Sequence, residues 1–342
     1  MDFILGLSVL ISFFLSILVL PKWIKKTKEI NFVWKDMNKF QDKDSEIKWV
    51  SGSGGIVVCF SFIIGVLSYI AIRTFIMQTQ ENLIEILALL TTVFIALLVG
   101  FIDDIFGWER KGLSMKIRIL LVLIAAIPLM VINAGVSFID IPFMGIVDVG
   151  ILYALILIPL GVVGASTTYN FLAGFNGLEA GQGIIVLSFL SMVAYLTGSS
   201  WLAVIGFCMV ASLLGFYYFN KFPAKVFPGD VMTYPIGALI AGMAILGNFE
   251  KIAVFVFIPY IFEVILKLRG SLNKHSFGKP LEDGSLDLPY SKIYGLEHFS
   301  IYFMKKFMKK KKVYEKDVTY FIFSMQILIC LITIFVFRGV LF

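Results

Sequence analysis

Apolar residues run along this chain in long blocks separated by short polar breaks. A helix that crosses a membrane needs about 20 mostly apolar residues. On that rule the pattern predicts about ten spans, at 3–21, 54–76, 83–102, 116–133, 151–168, 183–198, 201–219, 232–248, 251–267 and 318–340. The expected fold class is an all-α integral membrane protein. With no internal repeat and no low-complexity linker, residues 1–342 read as a single polytopic domain. Pro128, Pro159 and Pro259 fall inside spans, where neighbouring helices satisfy the freed backbone and the bends shape the bundle. The first block is expected to be a retained helix. It lacks a basic start and a small-residue cleavage site, and Lys22, Lys25 and Lys26 come after it.

The polar breaks alternate in charge. Residues 22–53 carry Lys22, Lys25, Lys26, Lys28, Lys35, Lys39, Lys43 and Lys48; 103–118 carry Arg110, Lys111, Lys116 and Arg118; 219–231 carry Lys221 and Lys225. The loop 267–316 carries Lys267, Arg269, Lys274, Lys279, Lys292 and the cluster from Lys305 to Lys312, whereas 77–82, 134–150 and 199–200 hold no Lys or Arg. Positive charge marks the cytoplasmic side. Both termini are therefore expected outside, with a multi-pass protein in the plasma membrane and all basic loops in the cytoplasm. Within 267–316, Asp283-Gly284 marks a hairpin. Residues 299–312, FSIYFMKKFMKKKK, read either as a helix on the inner interface against anionic head groups or as a solvated basic tail.

Composition sharpens this reading. The chain is 59% hydrophobic and 15% charged, with a mean hydropathy of +0.93, which no soluble core requires. Cys59, Cys208 and Cys330 all sit in apolar runs, as buried small hydrophobes and not as a disulfide framework or zinc site. Lys+Arg total 29 against 23 Asp+Glu, an excess that orientation and anionic lipid explain without nucleic acid. Abundant Ile, Lys and Phe fit an archaeal source.

Four polar clusters lie at the cytoplasmic ends of spans. FIDDIFG (101–107) places Asp103 and Asp104 directly after an uncharged run. A carboxylate costs about 2.5–3.5 kcal/mol at the membrane centre and less at a helix end. The pair calls for a divalent cation or a lysine, or else stands as two solvated acids. YNFLAGFNGLEAGQG (169–183) sets Asn170, Asn176, Glu179 and Gln182 among Gly174, Gly177, Gly181 and Gly183. Such glycines let a backbone approach a ligand, and amide side chains suit a nucleobase edge. FPAKVFPGDVMTY (222–234) offers Phe227 for stacking and Asp230 at a helix start, where the local field is positive. LNKHSFGKP (272–280) brings Lys274, His275 and Lys279 together as an anion clamp, with His275 as a possible base or a solvated loop residue. No GxxxxGK[ST] loop occurs, which excludes a P-loop ATPase. Acids, amides, glycine N–H groups and lysines on one face together suit a magnesium-bound nucleotide diphosphate.

In that order the motifs resemble those of the polyprenyl-phosphate N-acetylhexosamine-1-phosphate transferases (glycosyltransferase family 4). The nearest resemblance is to the dolichyl-phosphate GlcNAc-1-phosphate transferase and its archaeal relatives. It spans nearly the whole chain, through DMNK (36–39), FIDDIFG, DVGILY (148–153), NFLAGFNGLEAGQ (170–182), VFPGD (226–230) and LPYSKI (288–293). NGLEAGQ discriminates best, since the bacterial cell-wall translocase carries an aspartate-rich version. The resemblance implies transfer of N-acetylglucosamine-1-phosphate, or a related sugar phosphate, from a UDP-N-acetylhexosamine to a polyprenyl or dolichyl phosphate, releasing UMP. It implies catalytic roles for Asp103, Asp104 and Lys116, and magnesium (or manganese) held by Asn170 and Asp230. It also implies substrate contacts from Gly174, Asn176, Glu179, Phe227, Lys274 and His275. Ser276 stands where the eukaryotic enzyme has an arginine. Membrane lipids are expected partners, and the pattern allows a homodimer. A transporter is the rival class, but transporters keep polar residues near mid-span, and these spans are nearly charge-free there. A non-catalytic scaffold acting through 267–316 leaves the acids and amides unexplained.

Overall fold

A computed structural model of the chain describes residues 3–39, 49–109, 112–141 and 145–342. Lys43, Lys48, Arg110 and Lys111 of the basic loops lie outside the described residues. The helices are α1 (Phe3–Glu29), α2 (Gly55–Ala71), α3 (Leu83–Glu109), α4 (Met115–Val131), α5 (Ile158–Phe171), α6 (Leu178–Leu196), α7 (Ser200–Asn220), α8 (Asp230–Leu246), α9 (Glu250–Val256), α10 (Ile258–Arg269), α11 (Leu296–Lys306), α12 (Glu315–Val336) and α13 (Arg338–Leu341). Three antiparallel ribbons sit between them: β1 (Val33–Lys35) with β2 (Trp49–Ser51), β3 (Phe138–Ile141) with β4 (Gly145–Asp148), and β5 (Lys279–Pro280) with β6 (Leu286–Asp287).

Seven stretches among the described residues are long and apolar enough to cross a membrane: Leu5–Glu29, Gly55–Ile76, Leu83–Trp108, Tyr153–Phe171, Leu178–Leu196, Ser200–Asn220 and Glu315–Val336. The three other expected spans differ for identifiable reasons. α4 and α8 each have 17 residues. The expected ninth span is divided at Phe257 into α9 and α10, and Pro259 falls in the first turn of α10. There its missing N–H is no loss, so this proline starts a helix and does not kink one. Large apolar side chains such as Phe14, Leu18, Leu160, Ile265, Leu331 and Phe335 point outward and exposed, as a lipid-facing surface requires.

α8 is the axis of the bundle. Every residue from Val231 to Ile245 is buried, and α8 packs on α3 and α5. Glycines set these crossings. A Cβ at Gly100 would lie 2.2 Å from the Asp230 carbonyl oxygen, and one at Gly237 would lie 2.4 Å from the Ser166 Cα. Small residues at helix crossings let backbones meet, and here they bring the ends of α3 and α5 to the start of α8. α1 packs on α2 and α7 at one side.

Several boundaries move relative to the sequence pattern. α1 continues to Glu29, so Lys26 and Lys28 ride on its last turn, where cations complement the helix dipole. α6 begins at Leu178, five residues before the expected start, which places Glu179 and Gln182 on a helix. The hairpin at Asp283-Gly284 forms as expected. The Asp283 carboxylate accepts from Ser285 N–H (3.0 Å) and Ser285 Oγ–H (2.6 Å), and Lys312 lies 2.8 Å away. The hydrogen bond from Lys312, then those from Ser285, hold the Asp283 carboxyl below the usual carboxylate range. The three cysteines are free and buried.

Candidate active site

The acids are organised by the α3–α8 crossing. Asp103 and Asp104 lie in the last turns of α3, 3% and 8% exposed. α8 has no side-chain cap of its own, because its N-cap is Gly229. Asp104 supplies the acceptors from the neighbouring helix. Its Oδ1 accepts from Asp230 N–H at 2.8 Å, and its Oδ2 accepts from Ser53 Oγ–H at 2.6 Å and Val231 N–H at 3.4 Å. Orphan N–H groups at a helix start favour such a carboxylate. Gly229 has φ +73°, and a Cβ there would sit 2.1 Å from Asp104 Oδ2, so only glycine fits. Asp104 thereby fixes the turn that aims Asp230.

Asp103 has a different partner. Its Oδ1 accepts from Leu113 N–H at 2.7 Å, and its Oδ2 is 2.8 Å from Arg118 Nε. Arg118 Nη1 in turn lies 3.8 Å from Asp230 Oδ2. One guanidinium therefore bridges acids from α3 and α8. Lys116, the lysine expected here, is exposed on the first turn of α4 and does not line the cavity. Both residues follow the α4 cap at Ser114, and the two-residue step turns Arg118 towards the acids.

A cavity of about 340 Å³ opens beside this cluster, and Asp104, Asn170, Gly174, Glu179, Phe227 and Asp230 all line it. Asn170 lies in the last turn of α5, and its Oδ1 accepts from Thr233 Oγ–H of α8 at 2.9 Å. Asn170 and Asp230 thus present oxygen donors from adjacent helices, which suits a hard divalent cation. Among the described residues no group of three or more His, Cys, Asp or Glu side chains is arranged to hold a metal by itself. Magnesium commonly takes one or two protein carboxylates and completes its shell with substrate phosphate and water, so the donor set fits that ion.

The other end of the cavity is the glycine turn before α6. Gly174 adopts φ +109°, a region that favours glycine. Glu179 braces the turn by accepting from Gly174 N–H at 2.9 Å. Asn176 is buried and lies outside the cavity lining. Its N–H donates to Glu315 Oε1 at 2.7 Å and its Nδ2 to Asp36 Oδ2 at 3.4 Å, while its own Oδ1 has no partner among the described residues. Phe227 is fixed by its backbone, donating to Ser51 O at 2.8 Å and accepting from Gly54 N–H at 2.9 Å.

The pair Lys274 and His275 does not line the cavity. Both are exposed, and Lys274 Nζ sits 5.0 Å and 5.9 Å from the ring centroids of Tyr290 and Tyr294, a cation–π arrangement. Ser276 turns inward and bonds Lys267. Residues that sequence reasoning left without a role complete the site: Arg118, Asp36, Asn38, Lys39, Glu315 and Phe277. Asp36, Asn38 and Lys39 lie in the DMNK motif. Lys39 pairs with Glu315 across 3.2 Å, joining that motif to the last long helix.

Beneath the 272–280 loop, Glu263, Glu297 and His298 are fully buried. Lys267 Nζ is 3.5 Å from Glu263 Oε1, and neither Glu297 carboxylate oxygen has a hydrogen-bond partner among the described residues. Burial, reinforced by Glu263, raises the Glu297 carboxyl well above its ordinary range, with Lys267 opposing. The folded state then holds a proton that the unfolded chain releases above its own lower pKa, so stability falls as pH rises through that window. Glu297→Gln removes the effect. In thermal melts its gain in Tm over wild type should be near zero at pH 4 and grow towards pH 8. An unchanged difference across that range would contradict a neutral, buried Glu297.

Comparison with known proteins places the chain. The model of glycosyl transferase family 4 matches residues 86–248, from α3 to just past α8. Over 282 residues the chain is 39% identical to a Saccharolobus solfataricus protein named "Putative UDP-N-acetylglucosamine--dolichyl-phosphate N-acetylglucosaminephosphotransferase", covering 82% of this chain and 83% of that one. The chain belongs to glycosyl transferase family 4. Two further family relatives are the UDP-N-acetylglucosamine--dolichyl-phosphate N-acetylglucosaminephosphotransferase of Dictyostelium discoideum (27% over 276 residues; 71% of this chain, 66% of that one) and the phospho-N-acetylmuramoyl-pentapeptide-transferase of Aquifex aeolicus (30% over 285 residues; 75% and 76%). Membership of this transferase family sets aside the transporter reading. The family 4 match includes the acids, Arg118, the glycine turn and Phe227, and leaves out Asn38, Phe277 and Glu315.

Proposed function

We propose that the chain transfers N-acetylglucosamine 1-phosphate from UDP-N-acetylglucosamine to a polyprenyl or dolichyl phosphate, giving lipid-diphosphate-sugar and UMP. This is the first step of lipid-linked glycan assembly for protein N-glycosylation. The observation that carries the reading is one cavity lined by Asp104 and Asp230 at one end, with the Asp103–Arg118 pair packed beside it, and by a glycine turn and an aromatic residue at the other. The names of the family relatives support the substrates.

An oxygen of the lipid phosphate attacks the sugar-bearing phosphorus. The new P–O bond forms as the bond to UMP breaks, and UMP leaves with its electron pair. Both reactants are anions, so neutralising charge comes first. Arg118 supplies positive charge between Asp103 and Asp230. Asp104 holds the α8 start, so N–H groups and Asp230 stay aimed at the cavity. A phosphate with a second pKa near 6 is already largely ionised at neutral pH, so Asp103 orients the acceptor through Arg118 without acting as a base. Asp230 and Asn170 would hold magnesium, or manganese, which when bound neutralises the diphosphate.

Lys116 faces solvent near the membrane surface and meets the acceptor head group before Arg118 does. Lys116→Ala should raise KM for the lipid phosphate several-fold and change kcat little; a normal acceptor KM would remove it from the site. The basic loops support a plasma-membrane protein with ten crossings, both termini outside and the cavity facing the cytoplasm. Purified protein incubated with a panel of UDP-sugars and polyprenyl phosphates tests the assignment. The lipid product should gain the mass of N-acetylhexosamine phosphate only with UDP-N-acetylhexosamines. No lipid product from any pair would overturn it.

A further inference from the structure

The 272–280 loop reaches the cavity through Phe277 and not through its basic residues. Phe277 lines the same cavity as Phe227. Its ring lies against the glycine turn so closely that a Cβ on Gly174 would sit 2.7 Å from Phe277 Cε1. Three contacts hold it there. His298 Nε2 lies 3.2 Å from the Phe277 carbonyl oxygen. A carbonyl only accepts, so Nε2 carries the proton, in keeping with burial that lowers the His298 pKa and keeps the ring neutral. Asn38 accepts from Gly278 N–H through Oδ1 at 3.3 Å and donates from Nδ2 to the Gly174 carbonyl at 2.7 Å. A single amide therefore ties the Phe277 segment to the Gly174 turn, and Asn38 is itself 3% exposed.

We infer that Phe277 is a second base-stacking residue of this site, working with Phe227, and that Asn38 is the positioning residue that keeps its ring on the glycine turn. The inference rests on the reading of this end of the cavity as a uridine site. An aromatic ring held by buried hydrogen bonds beside a backbone turn is a rigid platform for a flat base. Stacking of a base on an aromatic side chain strengthens binding by roughly 5- to 150-fold. The two aromatics come from segments 50 residues apart in sequence, and Asn38 comes from a third segment, so the platform exists only in the folded bundle.

The test uses the full-length detergent-purified chain and two probes, UMP and ribose 5-phosphate, which differ by the base. Phe277→Leu keeps an apolar side chain and removes the aromatic face. It should weaken UMP about 10-fold and leave ribose 5-phosphate and the acceptor KM unchanged. Asn38→Ala should give a smaller loss of the same base-dependent kind. Phe277→Trp gives an independent gain of signal: UMP should quench its fluorescence beyond the change seen in wild type, and ribose 5-phosphate should not. Wild-type affinity for UMP in Phe277→Leu, equal losses for both probes, or no added quenching in Phe277→Trp would overturn the inference. Phe227→Leu run alongside separates the two claims. If Phe227→Leu weakens UMP while Phe277→Leu does not, only this inference fails. If wild type binds UMP no better than ribose 5-phosphate, the uridine reading itself fails.

Discussion

Asp104→Asn should abolish nearly all turnover, with kcat reduced about 10³-fold, in the range that follows loss of one preorganised electrostatic group. The reason is local. Both Asp104 oxygens accept hydrogen bonds, from Asp230 N–H on one and from Ser53 Oγ–H and Val231 N–H on the other. An asparagine keeps one acceptor and turns an NH2 towards the second set of donors. The α8 start loses its cap, which costs about 1–2 kcal/mol of stability, and Asp230 loses its aim. Exchange of labelled UMP into UDP-N-acetylglucosamine, run with lipid phosphate present so that the lipid-diphosphate sugar forms and reverts, reads the effect. Full exchange by Asp104→Asn would contradict the role given to this residue. Ser53→Ala removes a single bond to the same carboxylate and should fall between wild type and Asp104→Asn.

Arg118→Met should be as severe. Asp103 has a 2% exposed side chain, and Arg118 is its ionic partner at 2.8 Å. Removing one member of a buried pair leaves an uncompensated charge and costs about 3–5 kcal/mol, an upper bound here because the Arg118 side chain is 32% exposed. The same change removes the positive charge held between Asp103 and Asp230 beside the cavity, so kcat should drop by about 10²–10³-fold. Arg118→Lys keeps the charge but not the planar fork that reaches both Asp103 and Asp230. It should fold better than Arg118→Met and recover part of kcat. Equal activity of Arg118→Met and wild type would remove Arg118 from the chemistry and return attention to Lys116.

Seven of the ten expected spans were legible because apolar length is a local property, and so was the helix start at Asp230 because Gly-Asp before an apolar run is a local signal. The glycine turn at 174–177 was legible for the same reason. Arg118 was not, because a lysine two residues earlier satisfies any argument from charge alone. Only the direction each side chain leaves α4 separates them. In the sequence Lys274 and His275 read as an anion clamp, yet the structure engages Lys274 with Tyr290 and Tyr294 and brings Phe277 to the cavity. Asn38 and Glu315 were hidden most deeply. Their partners lie 136 and 139 residues away in the Gly174–Asn176 turn, and no periodicity reports such a separation. The π-helical turn at Tyr153–Leu157 and the break at Phe257 also escape a hydropathy pattern.

The reaction moves a sugar phosphate and not a sugar, so the fate of one phosphorus atom decides it. UDP-N-acetylglucosamine labelled at the sugar-bearing phosphorus should yield labelled lipid and unlabelled UMP with the wild-type chain. Label that stays with a released uridine diphosphate, with the lipid unlabelled, would show transfer of the sugar alone and rule out phosphosugar transfer.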